Sequence, residues 1–448
     1  MEILIIYDSK KDLSKIKYVF NFIFNLPISK SNSGIKYLHI SKYSKEKLQN
    51  KITINYTDNI LNEVTLNIKK DNFDIFDINN ASDINKLHLT IYSYKNKKLF
   101  GISSINSKSS FITNNIISLD IPQVFFFHLS RLEEYYSKKE QLDHHDRMKS
   151  SEQFLVKNNI YRFPVLDHIA FAFLEILGLE KKIATLKIMS HDIDVIQKFP
   201  NFYKFTRGVA RILLKNKKHK GSLSSYFKWF VKVKLGKTDP YDTFSWLFTK
   251  QKMFKKKVYF MAGGLTNYDN LYDINNPKLQ KYIELAKKND YEIGLHPSYK
   301  AFTNEKQFIK EKKKLEYVCG CKIKSTRQHI LHYDFNKTTD ILENNNIKND
   351  STYGFQDLIG FKCGTGFDYP IWNFKTDKPR KIKETPLIIM DGCLLMEANY
   401  NVDIAKEIYN QFLKENKYNT QITFNFHNSI FDPVLLNHIK LKQLFFEL

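Results

Sequence analysis

Long apolar runs are missing from this 448-residue chain. No stretch approaches the ~20 apolar residues that a membrane-crossing helix needs, which excludes that class. The opening Met1-Glu2-Ile3-Leu4-Ile5-Ile6-Tyr7-Asp8 is too short and lacks a basic leader, so it reads as a first strand and not as a secretory signal. Cysteine is scarce. The four present, Cys319, Cys321, Cys363 and Cys393, suit a reducing compartment. Cys319-Gly320-Cys321 lacks the two-residue gap of a zinc knuckle and is expected to be a turn. Together these absences point to the cytoplasm. Negative charge is also short: 47 Asp and Glu face 70 Lys and Arg, a net charge of +23. That field favours an anionic partner, whether phospholipid surface, acidic glycan or nucleic acid, without choosing among them.

Apolar and aromatic residues are plentiful, at 42% and 15%, so the Lys-, Asn- and Ile-rich loops reflect base composition and not disorder. The length suits about two or three domains. Residues 1 to about 120 mix short strands, such as Ile3 to Tyr7 and Leu87 to Tyr94, with polar loops that carry no catalytic signature. Val124 to Tyr135 reads as an amphipathic helix. The loop Asp143-His144-His145-Asp146-Arg147 follows, its two histidines expected to be exposed, and a second helix from Asp167 to Leu179 closes the region. Between Phe199 and Lys257 lies a basic segment with interleaved aromatics, including Arg207, Arg211, Lys215, Lys217, Lys218, Tyr226, Trp229, Phe230 and Lys232. At helical spacing it gives an apolar stripe flanked by cations, which fits a membrane-surface helix or a lid, and equally a solvated insertion.

Chemistry begins at Leu186-Lys187-Ile188-Met189-Ser190-His191-Asp192-Ile193-Asp194, an apolar strand ending in ionisable groups. If the backbone stays extended, Asp192 and Asp194 share a side, where one carboxylate holds a metal and the other takes a proton from metal-bound water. Taken alone, a helix N-cap with a second acid against the helix dipole is the better explanation. Recurrence shifts the weight. Strand signals return at Val258 to Ala262, Tyr291 to Leu295, Ile323 to Arg327, Ile347 to Asp350, Pro386 to Met390 and Gln421 to Phe426, making seven, spaced for βα units in a closed or nearly closed parallel barrel. His296 stands just past one strand, Arg327 and His329 at another, and Ile422 to His427 alternates so that Thr423, Asn425 and His427 share a face. A lone strand-end histidine is ordinarily structural; a convergent set is much less so.

At these residues the chain resembles the NodB-type polysaccharide deacetylases, carbohydrate esterase family four, over roughly residues 120 to 448. It is most similar to a branch frequent in Bacteroidetes with an uncharacterised N-terminal domain. Arg131-Leu132-Glu133-Glu134-Tyr135 and Asp146-Arg147 match the end of that domain, and Ser190-His191-Asp192-Ile193-Asp194 stands where the family has Thr-Phe-Asp-Asp. Gly294 to Tyr299, Arg327-Gln328-His329, Asp350 to Phe355 and Gly360 to Thr365 resemble the later motifs. The resemblance implies an α/β protein: an N-terminal α+β domain over 1–182, then a NodB-like (β/α)7 barrel over 183–448 with a basic insertion at about 200–240.

It also implies roles. Asp192 would be the general base, Asp194 and His296 metal ligands to a divalent ion, first of all zinc, Arg327 the orienter of the base, and His427 the acid that protonates the leaving amine. Where the family has its second metal histidine this chain has Lys300, and an ammonium cannot ligate a cation. His329, on the next strand, is the candidate third ligand; otherwise it contacts substrate at a site without metal or activity. Ser298, Tyr299, Asp350, Lys362 and Asp391 are candidate substrate contacts, Lys362 standing where the branch leads one to expect arginine. The expected function is N-deacetylation of an amino sugar in a glycan or its precursor. The alternative is an inactive barrel that binds glycan or scaffolds surface-polysaccharide synthesis. The expected partners are carbohydrate and, through the insertion, the inner face of an anionic membrane, and not nucleic acid.

Overall fold

The computed structural model describes residues 2–31, 34–44, 48, 51–214, 223–248, 255–264, 266–269, 272–433, 441–443 and 445. Two compact units emerge. The first comprises Met1–Thr185 with Phe361–Lys383 and Asn416–Thr420; the second comprises Leu186–Gly360, Glu384–Glu415 and Gln421–Leu448. The first unit is thus discontinuous, and a single boundary at 182 omits its two later segments. Asp167 helps to hold them: its carboxylate accepts hydrogen bonds from the Thr365 hydroxyl, the Gly366 N–H at 3.1 Å and the Thr420 hydroxyl at 2.6 Å.

In the first unit, strand Glu2–Tyr7 pairs in parallel with Ile35–His39 on one side and Lys51–Tyr56 on the other. Parallel neighbours need a crossover. Helix Leu13–Phe24 supplies it, burying Ile16, Val19, Phe20 and Ile23 at the spacing of one helical face. Leu66–Ile68 and Ile116–Ile117 extend the sheet in parallel, and the edge strand Ile112–Thr113 is antiparallel. The crossover helix makes this sheet mostly parallel. A second sheet places His88–Tyr94 between Lys97–Ser103 and Lys108–Ser110. The helix expected over 124–135 runs from Ile121 to Leu129, and after Arg131 turns at φ +61° the chain resumes as Leu132–Tyr135. His144 is exposed, but His145 is buried.

Among the described residues the second unit is built on seven strands: β1 (Leu186–Ile193), β2 (Lys255–Phe260), β3 (Glu292–Leu295), β4 (Ser325–Thr326), β5 (Asn349–Asp350), β6 (Ile389–Met390) and β7 (Gln421–Asn425). These are the seven expected segments. All pair in parallel in the order β5-β4-β3-β2-β1-β7-β6. Helices Pro277–Lys288, Glu305–Cys319, Lys337–Asn344 and Val402–Glu415 lie between strands, so the unit is mixed α/β. Among the described residues the ladder ends at β6 and does not return to β5. Gly320, at φ +63°, ends the helix before β4, so Cys319-Gly320-Cys321 is the expected turn.

After β1 the chain forms two helices, α1 (Phe202–Leu214) and α2 (Leu223–Lys234). Lys215, Lys217 and Lys218 lie outside the described residues, as does the side chain of Arg211. Asp239 accepts from the backbone N–H groups of Lys198, at 2.8 Å, and Phe199, at 3.0 Å, pinning the two ends of the insertion together.

Candidate metal-hydrolase site

Parallel strands put their C-terminal ends on one side, and the ionisable side chains gather there. Along β1 the period of two separates neighbours. His191 faces the core, where its Nδ1 lies 2.8 Å from the Phe426 carbonyl and burial pushes its pKa down to about 4. Asp192 is directed the other way, beside Arg327. The fully buried Arg327 donates through Nη1 to Asp192 Oδ1 and to Ser190 Oγ, both at 2.9 Å. Its Nε and Nη2 donate to the carbonyl and hydroxyl of Ser351 at 2.8 and 2.9 Å. Its guanidinium carbon lies 4.6 Å from the centre of the Tyr259 ring. Gly294 makes room for that ring, since a Cβ there would stand 2.4 Å from Tyr259 Cδ1. Asn425 donates to Asp192 Oδ2 at 2.8 Å. Burial by itself raises the Asp192 pKa, but Arg327, His296 and His427 outweigh it and hold the carboxyl below its usual range. The carboxylate is therefore ionised and held on both oxygens.

His296 Nδ1 lies 2.6 Å from the Arg327 carbonyl. A carbonyl only accepts, so Nδ1 carries the hydrogen, and Nε2 is left facing Asp194 Oδ1 at 3.2 Å. The His329 ring stands edge-on to His296 with centroids 5.0 Å apart, its Nδ1 3.5 Å from Asp269 Oδ1. Asp194, His296 and His329 each offer one ligand atom, all within 4.8 Å of one another. Asp194 Oδ1 and His329 Nδ1 are buried and make no hydrogen bond. A nitrogen lone pair aimed at a carboxylate oxygen is repulsive unless a cation lies between them, so this donor set fits a divalent metal. Without one, a proton serves: burial alone would lower the His296 pKa, but Asp192 and Asp194 raise it. Lys300 is exposed in a turn.

His427 follows β7. Its Nδ1 is 2.8 Å from Asp391 Oδ1 and its backbone N–H donates to Asp391 Oδ2 at 2.7 Å, while Nε2 stands 4.0 Å from Asp192 and 3.8 Å from Asp194. Burial would lower its pKa, but Asp391 first, then Asp194 and Asp192, push it up to about 10. This imidazolium holds an Nε2–H over the cluster. Asp391, a candidate substrate contact, has both oxygens engaged by His427, and its Oδ1 also accepts from the Gly392 N–H at 2.6 Å.

The remaining candidate contacts have partners of their own. Ser298 gives its hydroxyl and N–H to Glu311. Tyr299 packs its ring against Tyr268 and His332, at 4.4 and 4.9 Å. Asp350 is fully buried, accepting from the Thr326 hydroxyl at 2.6 Å, and burial raises its pKa. Lys362 belongs to the first unit, where its ammonium sits 2.9 Å from Glu134 and burial, with Arg131 next, pushes its pKa well down.

Asp269 escaped the sequence analysis. It accepts from the Tyr299 N–H at 2.7 Å and from Thr266 N–H and Oγ1 at 2.9 and 2.7 Å, which aims it at His329. A signal exists: Gly263-Gly264 follows β2, and at Gly264, φ +119°, a Cβ would lie 2.5 Å from Asp269 Cβ.

Residues 4–182 match the model of a family of unknown function, DUF7033. No curated protein matches the chain. Among solved structures, a candidate polysaccharide deacetylase from Mycobacterium smegmatis shares 13% identity over 59% of this chain and 84% of its own, with a TM-score of 0.32. Puue allantoinase shares 12% over 59% and 85%, at 0.33. A CE4 family pseudoenzyme from Bacillus anthracis shares 6% over 59% and 60%, at 0.27.

Proposed function

We propose that the second unit is a metal-dependent N-deacetylase, built as a NodB-like (β/α)7 barrel, that removes an acetyl group from an amino sugar of a glycan or glycan precursor. The observation that carries this is the convergence of Asp194, His296 and His329 between an ionised Asp192 and a protonated His427. Asp194, His296 and His329 would hold the divalent ion, which when bound supplies Lewis acidity and a water whose pKa falls toward ~7.

The side chains do the rest. Asp192 is the base: Arg327 and Asn425 fix its oxygens, so it meets a water proton without reorienting. As water adds to the acetamide carbon, the proton passes to Asp192. Collapse breaks the C–N bond, and His427 gives its Nε2 proton to the departing nitrogen, leaving acetate and a free amine. Asp391 keeps the other ring hydrogen in place, so donation always comes from Nε2.

Metal content by mass spectrometry, on wild type beside His296→Ala and His329→Ala, tests the site. About one divalent ion per chain, lost in both variants, is the expected result. Acetate release from N-acetylated oligosaccharides and nucleotide-linked N-acetylhexosamines, abolished by Asp192→Asn, is expected to follow. A chain that stays metal-free when zinc is supplied overturns the hydrolase assignment and leaves a glycan-binding barrel.

A further inference from the structure

We propose that the helical hairpin inserted after β1 is a docking surface for an anionic lipid bilayer. The hairpin first closes a core of its own: Phe199, Phe205 and Tyr226 are buried, with Val209, Ile212, Trp229, Phe230 and Val233 packed against them. A second apolar set stays largely exposed, Phe202 and Phe227 touching the core ring of Phe205 only along one side. On α2, Phe227, Val231 and Leu235 are 48%, 51% and 82% exposed, and on α1, Phe202 and Leu213 are 65% and 66% exposed. Phe227, Val231 and Leu235 recur every four residues and so form one stripe, carried past α2 by the Leu235 N–H bonding the Val231 carbonyl at 2.9 Å. Phe202 and Leu213, three turns apart, likewise share a face.

Cations border these stripes. From Val195 to Thr238 the sequence holds 12 Lys and Arg and no Asp or Glu. Lys204, Arg207, Lys228, Lys234 and Lys237 are exposed. Lys232 lays its ammonium 5.0 Å from the centre of the Trp229 ring. Apolar side chains that enter the acyl boundary, with long cations reaching the headgroups around them, are what an interfacial helix presents. An acidic protein or nucleic acid would use the cations and leave the stripes wet. A second copy would cover the stripes but set like charges against each other. A bilayer containing anionic lipid takes both. No described helix is long and apolar enough to cross a membrane, so the association is with the surface. This inference does not depend on the hydrolase assignment, because its test reads binding alone.

The test is co-sedimentation of the full chain with vesicles of phosphatidylcholine alone and of phosphatidylcholine with phosphatidylglycerol. The anionic vesicles are expected to bind at least about tenfold more tightly, with salt weakening the binding. Val231→Ser/Leu235→Ser is expected to lose at least about tenfold while melting like wild type, because those side chains are 51% and 82% exposed and are not among the residues packed on the hairpin core. Lys228→Gln/Lys234→Gln is expected to flatten the salt dependence. Equal binding to both vesicles, no binding to either, a serine variant that binds like wild type, or self-association through this face in sedimentation velocity would each overturn the proposal.

Discussion

Arg327→Met isolates the buried pair that fixes Asp192. Methionine keeps much of the volume over Tyr259 but removes every guanidinium donor, leaving the buried Asp192 with the Asn425 hydrogen bond and the more distant charges of His296 and His427. Breaking a buried pair from one side costs about 3–5 kcal/mol, because the remaining charge loses its hydrogen-bonded partner. For a unit of this size each kcal/mol shifts the melting temperature by about 2–4 °C, so a drop of roughly 6–20 °C is expected in a calorimetric scan of the full chain at neutral pH. The sign of the pH dependence follows from the depressed Asp192 pKa. The pair's contribution is present above the unfolded carboxylate value of ~3.9 and is lost as pH falls through the lower folded value. The deficit of Arg327→Met should therefore shrink in acid. Adding Asp192→Asn removes the stranded charge and should restore at least half of the loss. A single variant that costs under about 1 kcal/mol, or a double variant less stable than Arg327→Met, would refute the account.

Asp391→Asn offers one acceptor oxygen where His427 engages two, so kcat should fall at least ~100-fold with KM little changed, and the alkaline limb of the pH–rate profile should move down; an unmoved limb would show that Asp391 does not set the His427 proton. Gly294→Ala pushes a methyl into Tyr259 beneath Arg327 and should cost about 1–3 kcal/mol in thermal unfolding, whereas a neutral result would mean that the ring shifts freely. Burial pushes the Asp167 pKa up to about 7, against the donors Thr365, Thr420 and Gly366. Its contribution is thus complete below the unfolded value of ~3.9 and lost as pH rises through about 7, so Asp167→Asn should flatten the fall in stability across that window. The flattening is partial because Asp120 is likewise raised to about 7; an unchanged slope on chemical unfolding would place the Asp167 titration elsewhere.

The seven strands and the sides of β1 and β7 were legible because side-chain direction in a strand follows from backbone geometry alone. Once the apolar runs were assigned, Asp192, Asn425 and His427 had to point where they do. The sequence was silent wherever a partner is chosen by tertiary approach. Asp391 opens the short helix Asp391–Glu397 and meets His427 36 residues later, so nothing local marks it as a histidine's carboxylate. Lys362 follows the strand-rich second unit in sequence and yet is spent on Glu134 in the first, through a chain excursion that no periodicity records. The third ligand position is the instructive case. Lys300 cannot coordinate, but the ends of β3 and β4 are neighbours opening on the same side, which brings a ligand atom of His329 within 4.8 Å of those of Asp194 and His296. Spacing along the chain specifies a ligand only while the turn that carries it is kept. Reach from adjacent strand ends is the physical requirement, and in the proposed site Asp269, 3.5 Å from His329 Nδ1, would orient the ring once that nitrogen carries the hydrogen.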